Sequence, residues 1–565
     1  MIVVGVDTGG TFTDFVFKTE DQWSVYKLLS TPDNPARAVL EGLDHVAKQG
    51  KKRIIHGSTV ATNAILERKG ARTALITNKG FEDVIEIGRQ NRSRLYDLAY
   101  RKEPQIVPPD LRFGIKGRVL NTGEEYEPLD EKGARKVIRQ IGQSQAQSVA
   151  VCFIFSFANP SHEKEIKELL GNTGIAVSLS HEILAEFREF ERISTTLLNA
   201  YVVPKMHTYI GHLIAEMAEE SSLSIMQSNG GSISAETAME ESVRTILSGP
   251  AGGVVGALEI GKIAGHTHLI TFDMGGTMEL QRNRLDSFFG QMAKGIGLSP
   301  MELAEGILSV ANTAMEKAIR VISVEKGYDP REFVLFSFGG AGGMHGAFLA
   351  RLLNIPKVLV PQNPGIMSAI GMIMADVIKD YSFTVMRNQL NCTAGHLAKL
   401  FQNLEKRGFK DLSKEGIGKE NVRLERYLDM RYEGQSYEII VPFDVNYIDG
   451  FHTLHEKTYG YRNEDKIVEI VNIRLRARGI PDKPRFQRAK KVKGHPPQKA
   501  FLGEREVVFD QRVRKTQILH RENLLSGNRI PGPAILVEYS STIVIPPFAE
   551  AHVDEYGNVI MEIVD

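Results

Sequence analysis

The sequence predicts an α/β protein with two similar lobes and a separate C-terminal α+β domain, on three observations. Short β-branched apolar runs alternate with helical spacing from residue 2 to about residue 380, the pattern of layered α/β folds. One phrase, an apolar strand followed by Asp-x-Gly-Gly-Thr, stands twice, as IVVGVDTGGT at 2–11 and as HLITFDMGGT at 268–277. A phrase repeated at wide separation predicts two lobes of like design. After about Tyr381 the texture shifts to strand-like alternation, a Pro- and Lys-rich stretch at 479–500, and short strands broken by Pro and Gly. The expected divisions are 1–190, 191–385 and 386–565.

The elements follow in order. Residues 2–6 read as a buried strand, and the Gly pair after Asp7 predicts a tight hairpin into FVFK rather than a strand-to-helix turn. Ala38, Leu40, Leu43 and Val46 mark a helix over 35–49. Residues 53–56 read as a strand, 61–69 as a helix, and 71–80 as a strand with a turn. Helices are expected at 128–145 and 162–172, buried strand at 147–157, strand at 175–183, and a long helical region over 191–220. In the second lobe 301–327 reads as helix, and 333–353 as strand, Gly-rich loop, helix. Helix at 393–415 and alternating strand at 424–443 open the last domain.

Composition narrows the function classes. The chain has 565 residues, 42% hydrophobic and 24% charged, with Lys+Arg and Asp+Glu both 69. Zero formal net charge gives no basic surface for nucleic acid or anionic membranes. The two cysteines, Cys152 and Cys392, form no CxxC or Cys/His cluster, so neither a disulfide framework nor a structural zinc site is expected. No apolar run reaches ~18 residues and the N-terminus lacks a basic lead. The expectation is a cytoplasmic protein with no membrane span.

Three Gly-rich motifs carry chemistry. The first is Asp7-Thr8-Gly9-Gly10-Thr11-Phe12-Thr13-Asp14. Glycine lets backbone N–H groups approach phosphate oxygens closely, and Thr11 and Thr13 add hydroxyl donors. Asp7 at a strand end suits Mg²⁺, which takes carboxylate and phosphate oxygens and keeps waters. A plain β-turn with a capping Asp is the alternative. The second motif, Asp273-Met274-Gly275-Gly276-Thr277, weighs against that alternative, because two such turns facing one another would clamp a polyphosphate and a metal ion. The third, Phe338-Gly339-Gly340-Ala341-Gly342-Gly343-Met344-His345, suits a nucleoside or a phosphate at a helix N-terminus, or else a close strand–helix crossover.

Together these resemble the actin, sugar-kinase and heat-shock-chaperone superfamily of ribonuclease-H-like lobes. More specifically, the chain resembles the hydantoinase A and 5-oxoprolinase family, which includes subunits of acetone and acetophenone carboxylases. The resemblance is carried by residues 5–14, 56–92, 188–202, 228–231, 248–257, 272–277, 338–346, 363–372 and 531–547, and so runs nearly end to end. It implies ATP and Mg²⁺ as cofactors, with Asp7 and Asp273 as the metal carboxylates and catalytic residues. Thr8, Gly9, Gly10, Thr11, Thr13, Gly275, Gly276 and Thr277 would meet phosphates, and Gly339, Gly340 and Gly342 the nucleoside. The implied reaction is ATP-dependent opening of a cyclic amide, such as a hydantoin or 5-oxoproline, after phosphorylation of the amide oxygen. Two alternatives stand beside it: the ATPase subunit of a ketone carboxylase, and nucleotide binding without turnover. The resemblance also implies an oligomer with a B-type hydantoinase subunit. His56 and Asn63 fall in a family block, with either a cleft role or a capped helix start at Ser58–Thr59. Arg89, Gln90, Asn91 and Arg92 read as a solvated loop or an anion contact. SGPAGG at 248–253 reads as a substrate-side loop or as Gly-rich packing. One departure stands out. The family continues its second turn as Gly-Gly-Thr-Ser-Thr-Asp, and carries about a hundred more residues before the helix resembling 285–308. Here Met278-Glu279-Leu280 follow Thr277.

Overall fold

The first three strands are antiparallel neighbours, and their apolar side chains enter the core of the first lobe. In the computed structural model these are β1 (Ile2–Thr8), β2 (Phe12–Thr19) and β3 (Gln22–Leu29), with β4 (Lys52–Ser58) and β5 (Ser222–Met226) added parallel to β1. The order β3-β2-β1-β4-β5 is the ribonuclease-H-like arrangement. Residues 2–19, 22–46, 51–91, 96–171, 173–218, 221–276, 282–483, 485–492 and 494–564 are described. Helices α1 (Pro35–Val46), α2 (Val60–Leu66) and α3 (Glu189–Glu216) cover one face of the sheet. Val4, Val6, Phe15 and Ile54 meet Val39, Leu43, Met206 and Ile210 there, a continuous apolar layer that drives the lobe together.

Between β4 and β5 the chain builds a second, all-parallel sheet from Thr73–Asn78, Arg112–Ile115, Ser148–Cys152 and Ala176–Leu179. Two of its strands, Thr73–Asn78 and Ser148–Cys152, are buried along their whole length because both faces are covered.

The second lobe follows α4 (Ser248–Ile263). Strands β6 (Leu269–Asp273), β7 (Val334–Phe338) and β8 (Lys357–Val360) are parallel and adjacent in that order. Helices α5 (Arg282–Ile296) and α6 (Pro300–Ile322) lie between β6 and β7, while α7 (Gly342–Leu353) follows β7 and α8 (Met367–Met374) follows β8. Among the described residues β6 is an edge strand. Helices α5 and α6 leave Phe288 73% and Val310 71% exposed, unusual for large apolar side chains on a helix that packs.

Strands from residue 377 onward extend both sheets, the first of them spanning the expected division at 385/386. Val377–Asn388, Val468–Gly479, Val422–Tyr432 and Ile439–Pro442 continue the first sheet past β5 through Ser232–Ser234. Val559–Ile563, Ala549–Val553 and Arg529–Pro531 continue the second past β8. A four-stranded sheet of Phe501–Phe509, Arg512–His520, Ala534–Val537 and Thr542–Ile545 completes the chain. The described residues of 480–492 have no regular structure, and Phe486 among them stacks on Trp23 at 5.5 Å. No described helix is long and apolar enough to cross a membrane.

The two lobes join where α4 and α8 cross. A Cβ on Gly371 would stand 1.7 Å from the Gly252 carbonyl oxygen, so the two backbones touch. A Cβ on Gly5 in β1 would stand 2.3 Å from the Ala369 carbonyl oxygen. The glycines of SGPAGG thus belong to a helix packed on a helix. Gly371→Val is expected to force the crossing apart and cost about 3 kcal/mol, the upper end for overpacking, read as a lowered denaturant midpoint.

Candidate active site

β1 delivers Asp7 and Thr8 to the end of the first sheet, and a hairpin closes immediately after them. The Gly9 N–H donates to the Phe12 carbonyl at 2.9 Å, and the Ser30 N–H to the Thr11 carbonyl at 2.9 Å. Ser30 Oγ donates to the Gly9 carbonyl at 2.7 Å and lies 3.1 Å from Thr13 Oγ1. Thr13 is fully buried, so its hydroxyl braces the turn, whereas Gly10 and Thr11 stand exposed at the tip.

β6 delivers Asp273 in the same way, in register with Phe338 at the end of β7. The Met274 N–H donates to the Phe338 carbonyl at 3.2 Å, and the Ala341 N–H donates to the Met274 carbonyl at 3.0 Å. The second and third Gly motifs are therefore one surface. A Cβ on Gly276 would lie 3.2 Å from Gly340 Cα. Gly339 has φ +81°, and a Cβ there would lie 2.2 Å from the Met274 carbonyl oxygen and 2.6 Å from Asp273 Oδ1. Only glycine fits that position. Gly342 opens α7 with Ser337 Oγ behind it, at 3.1 Å from its would-be Cβ. The Thr542 N–H donates to the Gly340 carbonyl at 3.4 Å, so the C-terminal chain backs this surface. Gly275 lies in the turn beside Gly276, and Thr277 lies outside the described residues.

The two strand ends bring their carboxylates into one electrostatic neighbourhood. Burial, then the charges of Asp14 and Asp273, push Asp7 up to about 7, against the opposing pull of Lys27 and a hydrogen bond from Ser368. Its Oδ1 is buried without a hydrogen-bond partner. Burial also raises Asp14 and Asp273, and Lys27 pulls Asp14 back. Lys27 Nζ sits 2.5 Å from Asp14 Oδ1 and 4.5 Å from the Phe12 ring centre. Three carboxylates against one ammonium, with an orphaned oxygen among them, form a site whose charge balance calls for a cation. A hard divalent cation with phosphate oxygens and water fits that donor set. Among the described residues no group of three or more His, Cys, Asp or Glu side chains is placed to hold a metal ion by itself, so phosphate oxygens and water would supply the other ligands.

Sequence reasoning passed over Lys27. The signal was present: β2 and β3 pair with Asp14 opposite Lys27, a register that follows from counting back from the short turn between the strands. Ser368, on α8, needed the tertiary fold.

The remaining candidates settle into supporting places. His56 is buried, with Nδ1 3.1 Å from the Val6 carbonyl and Nε2 2.6 Å from Tyr209 Oη. Burial pushes it down to about 4, so it is a neutral ring that pins β4 to α3. Thr59 makes no side-chain cap on α2 but donates its hydroxyl to the Thr8 carbonyl at 3.2 Å. Ser248 Oγ donates to the Ser58 carbonyl at 3.1 Å, tying α4 to β4. His345 Nδ1 lies 2.8 Å from Asn312 Oδ1, and burial lowers it. Arg89 pairs with Glu191 at 2.6 Å, while Arg92 lies outside the described residues.

Comparison with known proteins gives matches along the whole chain. The family described as Hydantoinase/oxoprolinase N-terminal region matches residues 3–174, Hydantoinase/oxoprolinase matches 192–279 and 277–381, and Hydantoinase/oxoprolinase C-terminal domain matches 385–562. The middle match comes in two pieces that meet just after the second Gly-Gly turn. An uncharacterised protein of Methanocaldococcus jannaschii is 30% identical over 680 aligned positions, covering 99% of each chain. Those positions outnumber the 565 residues here, so the relative carries sequence that this chain lacks. Caprolactamase subunit alpha of Pseudomonas jessenii is 27% identical over 96% of each chain. The crystal structure of ATP-dependent caprolactamase from that organism superposes with a TM-score of 0.87 at 25% identity, covering 99% of both chains. The acetone carboxylase beta subunit of Xanthobacter autotrophicus is 24% identical over 98% of this chain and 97% of its own.

Proposed function

The chain belongs to the hydantoinase/oxoprolinase family, and from that premise we propose that it binds Mg·ATP between its two Gly-Gly turns and phosphorylates the carbonyl oxygen of a cyclic amide. The observation that carries the reading is the buried, unpartnered Oδ1 of Asp7 beside Asp14 and Asp273. Bound Mg·ATP supplies the phosphoryl group that turns a poor amide oxygen into a leaving group. The chain's own residues place and hold it. Asp7 and Asp273 hold the metal ion from the two strand ends. Gly9, Gly10 and Thr11 present N–H and hydroxyl donors from the first lobe, with Thr8 at the strand end and Thr13 bracing the turn. Gly275 and Gly276 do so from the second, where the expected phosphate contact of Thr277 lies outside the described residues. Gly339, Gly340 and Gly342 form the flat wall for the nucleoside. Residues 1–190 and 191–385 supply one turn each, and 386–565 back them.

A nearly full-length relative is a caprolactamase alpha subunit, so we assign this chain the nucleotide-binding role in a heteromer with a B-type hydantoinase subunit. The second reading is a ketone carboxylase subunit, favoured by the nearly full-length match to the acetone carboxylase beta subunit. The third, nucleotide binding without turnover, is favoured by the break in the family match at 277–279. Calorimetric titration with Mg·ATP, then phosphate release with hydantoin, 5-oxoproline, ε-caprolactam or ketone plus bicarbonate, separates the three. Lactam-stimulated release supports the first, bicarbonate-dependent release the second, and binding without release the third. Absence of Mg·ATP binding refutes all of them.

Lys27 gives a residue-level test. It is the cation that stands among these carboxylates. Lys27→Ala is expected to lower kcat by about 100-fold, the scale for losing one preorganised charge at a phosphoryl site, with a smaller rise in KM for ATP.

A further inference from the structure

A cavity of about 820 Å³ opens directly behind the first Gly-Gly turn, with Thr8, Gly9 and Gly10 in its wall. We propose that this cavity is the acceptor pocket, and that it takes a small uncharged cyclic amide with its carbonyl turned toward Gly9 and Gly10. The inference rests on the reading of the cleft as an Mg·ATP site and adds to it where the acceptor sits.

Three observations converge. The first is position. β1 and β4 are parallel neighbours, and Thr8 and Ser58 are in register at their C-terminal ends. The cavity lies just outside those ends, where open α/β sheets place their ligands. The turn that would hold a terminal phosphate is thus a shared wall, so an acceptor there meets the phosphate without crossing either lobe.

The second is charge. Every charged side chain that lines the cavity, Asp33, Glu67, Lys69 and Lys205, belongs to an exposed residue at its rim. Lys69 is taken up by Glu67 at 2.7 Å. The inner wall near Gly9 and Gly10 is built from neutral groups, among them Thr59 and Asn63. An enclosed wall without charge favours an uncharged reacting group.

The third is hydrogen-bonding capacity at the inner end. Thr59 is fixed to β1 by its hydroxyl on the Thr8 carbonyl, and Asn63 Nδ2 lies 3.4 Å from Thr59 Oγ1. A carboxamide offers both a donor and an acceptor, the complement of a cyclic amide's C=O and N–H. Asn63 is one helical turn past Thr59, so both face the same cavity. Both are positioning residues; neither is assigned a proton.

The test uses the full chain and one new thiol. Cys152 and Cys392 are both buried, so Asn63→Cys introduces the accessible sulfur. Its rate of alkylation by iodoacetamide is measured with Mg·ATP analogue present, with and without saturating ε-caprolactam or hydantoin, both uncharged at neutral pH. Thr208→Cys, lining the same cavity from α3, serves if the first variant folds poorly, and Glu127→Cys on a distant exposed strand is the control. The expected result is at least fivefold slower alkylation in the cavity by one of the two cyclic amides, saturable, with no change at position 127. Unchanged rates with both cyclic amides overturn the pocket. Calorimetry with Mg·ATP on the unmodified chain is read separately. Binding without protection removes the pocket and leaves the nucleotide site, while protection without nucleotide binding leaves the pocket and removes the nucleotide site.

Discussion

Asp7→Asn is expected to abolish Mg·ATP turnover while making the ligand-free protein more stable above neutral pH. Both effects come from the same oxygen atoms. In the unfolded chain Asp7 titrates near its ordinary value of 3.8, whereas in the fold it is raised to about 7 by burial and by the charges of Asp14 and Asp273. Below pH 3.8 the group is neutral in both states and carries no penalty. As the pH rises toward 7 the unfolded chain loses this proton and the folded chain keeps it, so folding stability falls across that window. Above 7 the full penalty applies, about 4 kcal/mol for a shift of about three units. Asparagine keeps the shape and removes the ionisation. The stability gap between variant and parent is therefore expected to widen from pH 5 to pH 8, read as midpoints of chemical denaturation. Mg·ATP reverses the order, because the dication neutralises the carboxylate that the empty fold tolerates poorly. It is expected to stabilise the parent and leave the variant unmoved. A variant that is less stable than the parent at pH 8, or that still turns over ATP, would contradict the assignment. This trade, in which a site destabilises the empty protein and is relieved by its ligand, is typical of functional carboxylates.

Much of this site was legible in the sequence because its parts are local. Asp-x-Gly-Gly-Thr after an apolar strand announces a strand end, a carboxylate and a turn within a few residues. The fold places both copies at the ends of β1 and β6. The α/β alternation and the two-lobe reading rest on periodicity, which also is local, and the expected fold class stands. What was not legible is long-range. Lys27, on the strand next to β2, was within reach of local reasoning, whereas Ser368 enters the site only through the packing of α8 on β1. The extension of both sheets by strands from residue 377 onward depends on pairings of high sequence separation, such as Val377 with Gly479. No periodicity in a single segment encodes its partner. The SGPAGG stretch shows the reverse difficulty. Its glycines look like a loop because glycine is a loop former, yet they start α4 and let α8 approach to backbone contact. Thr13 makes the same point within one motif: it alternates toward the protein interior and meets Ser30, while Thr11 stays at the tip.

Gly339→Val is expected to weaken Mg·ATP binding by at least about 100-fold with the chain still folded. The residue sits at φ +81° between β7 and α7, where a β-branched side chain pays steric strain of about 1–3 kcal/mol on the backbone alone. The new Cβ would also stand 2.2 Å from the Met274 carbonyl oxygen and 2.6 Å from Asp273 Oδ1. Neither neighbour can yield independently. The Met274 carbonyl accepts from the Ala341 N–H at 3.0 Å, and the Gly339 N–H is held by the Pro364 carbonyl at 2.9 Å. The strain therefore passes to the stacked Gly276 and Gly340 backbones, which would separate the proposed second phosphate turn from the proposed nucleoside wall. The cores of the first lobe and of the inserted sheet share no residue with this junction, so the damage is local to the cleft. Calorimetry would read the lost affinity, and far-ultraviolet circular dichroism would read the retained fold. Gly265→Val is the matched comparison. It also has positive φ, +84°, but its would-be Cβ has nothing within 4 Å, so it is expected to cost stability and leave nucleotide affinity intact. If both variants lose affinity equally, backbone strain alone explains the effect, and the contact between Gly339 and Asp273 has no part in holding the nucleotide.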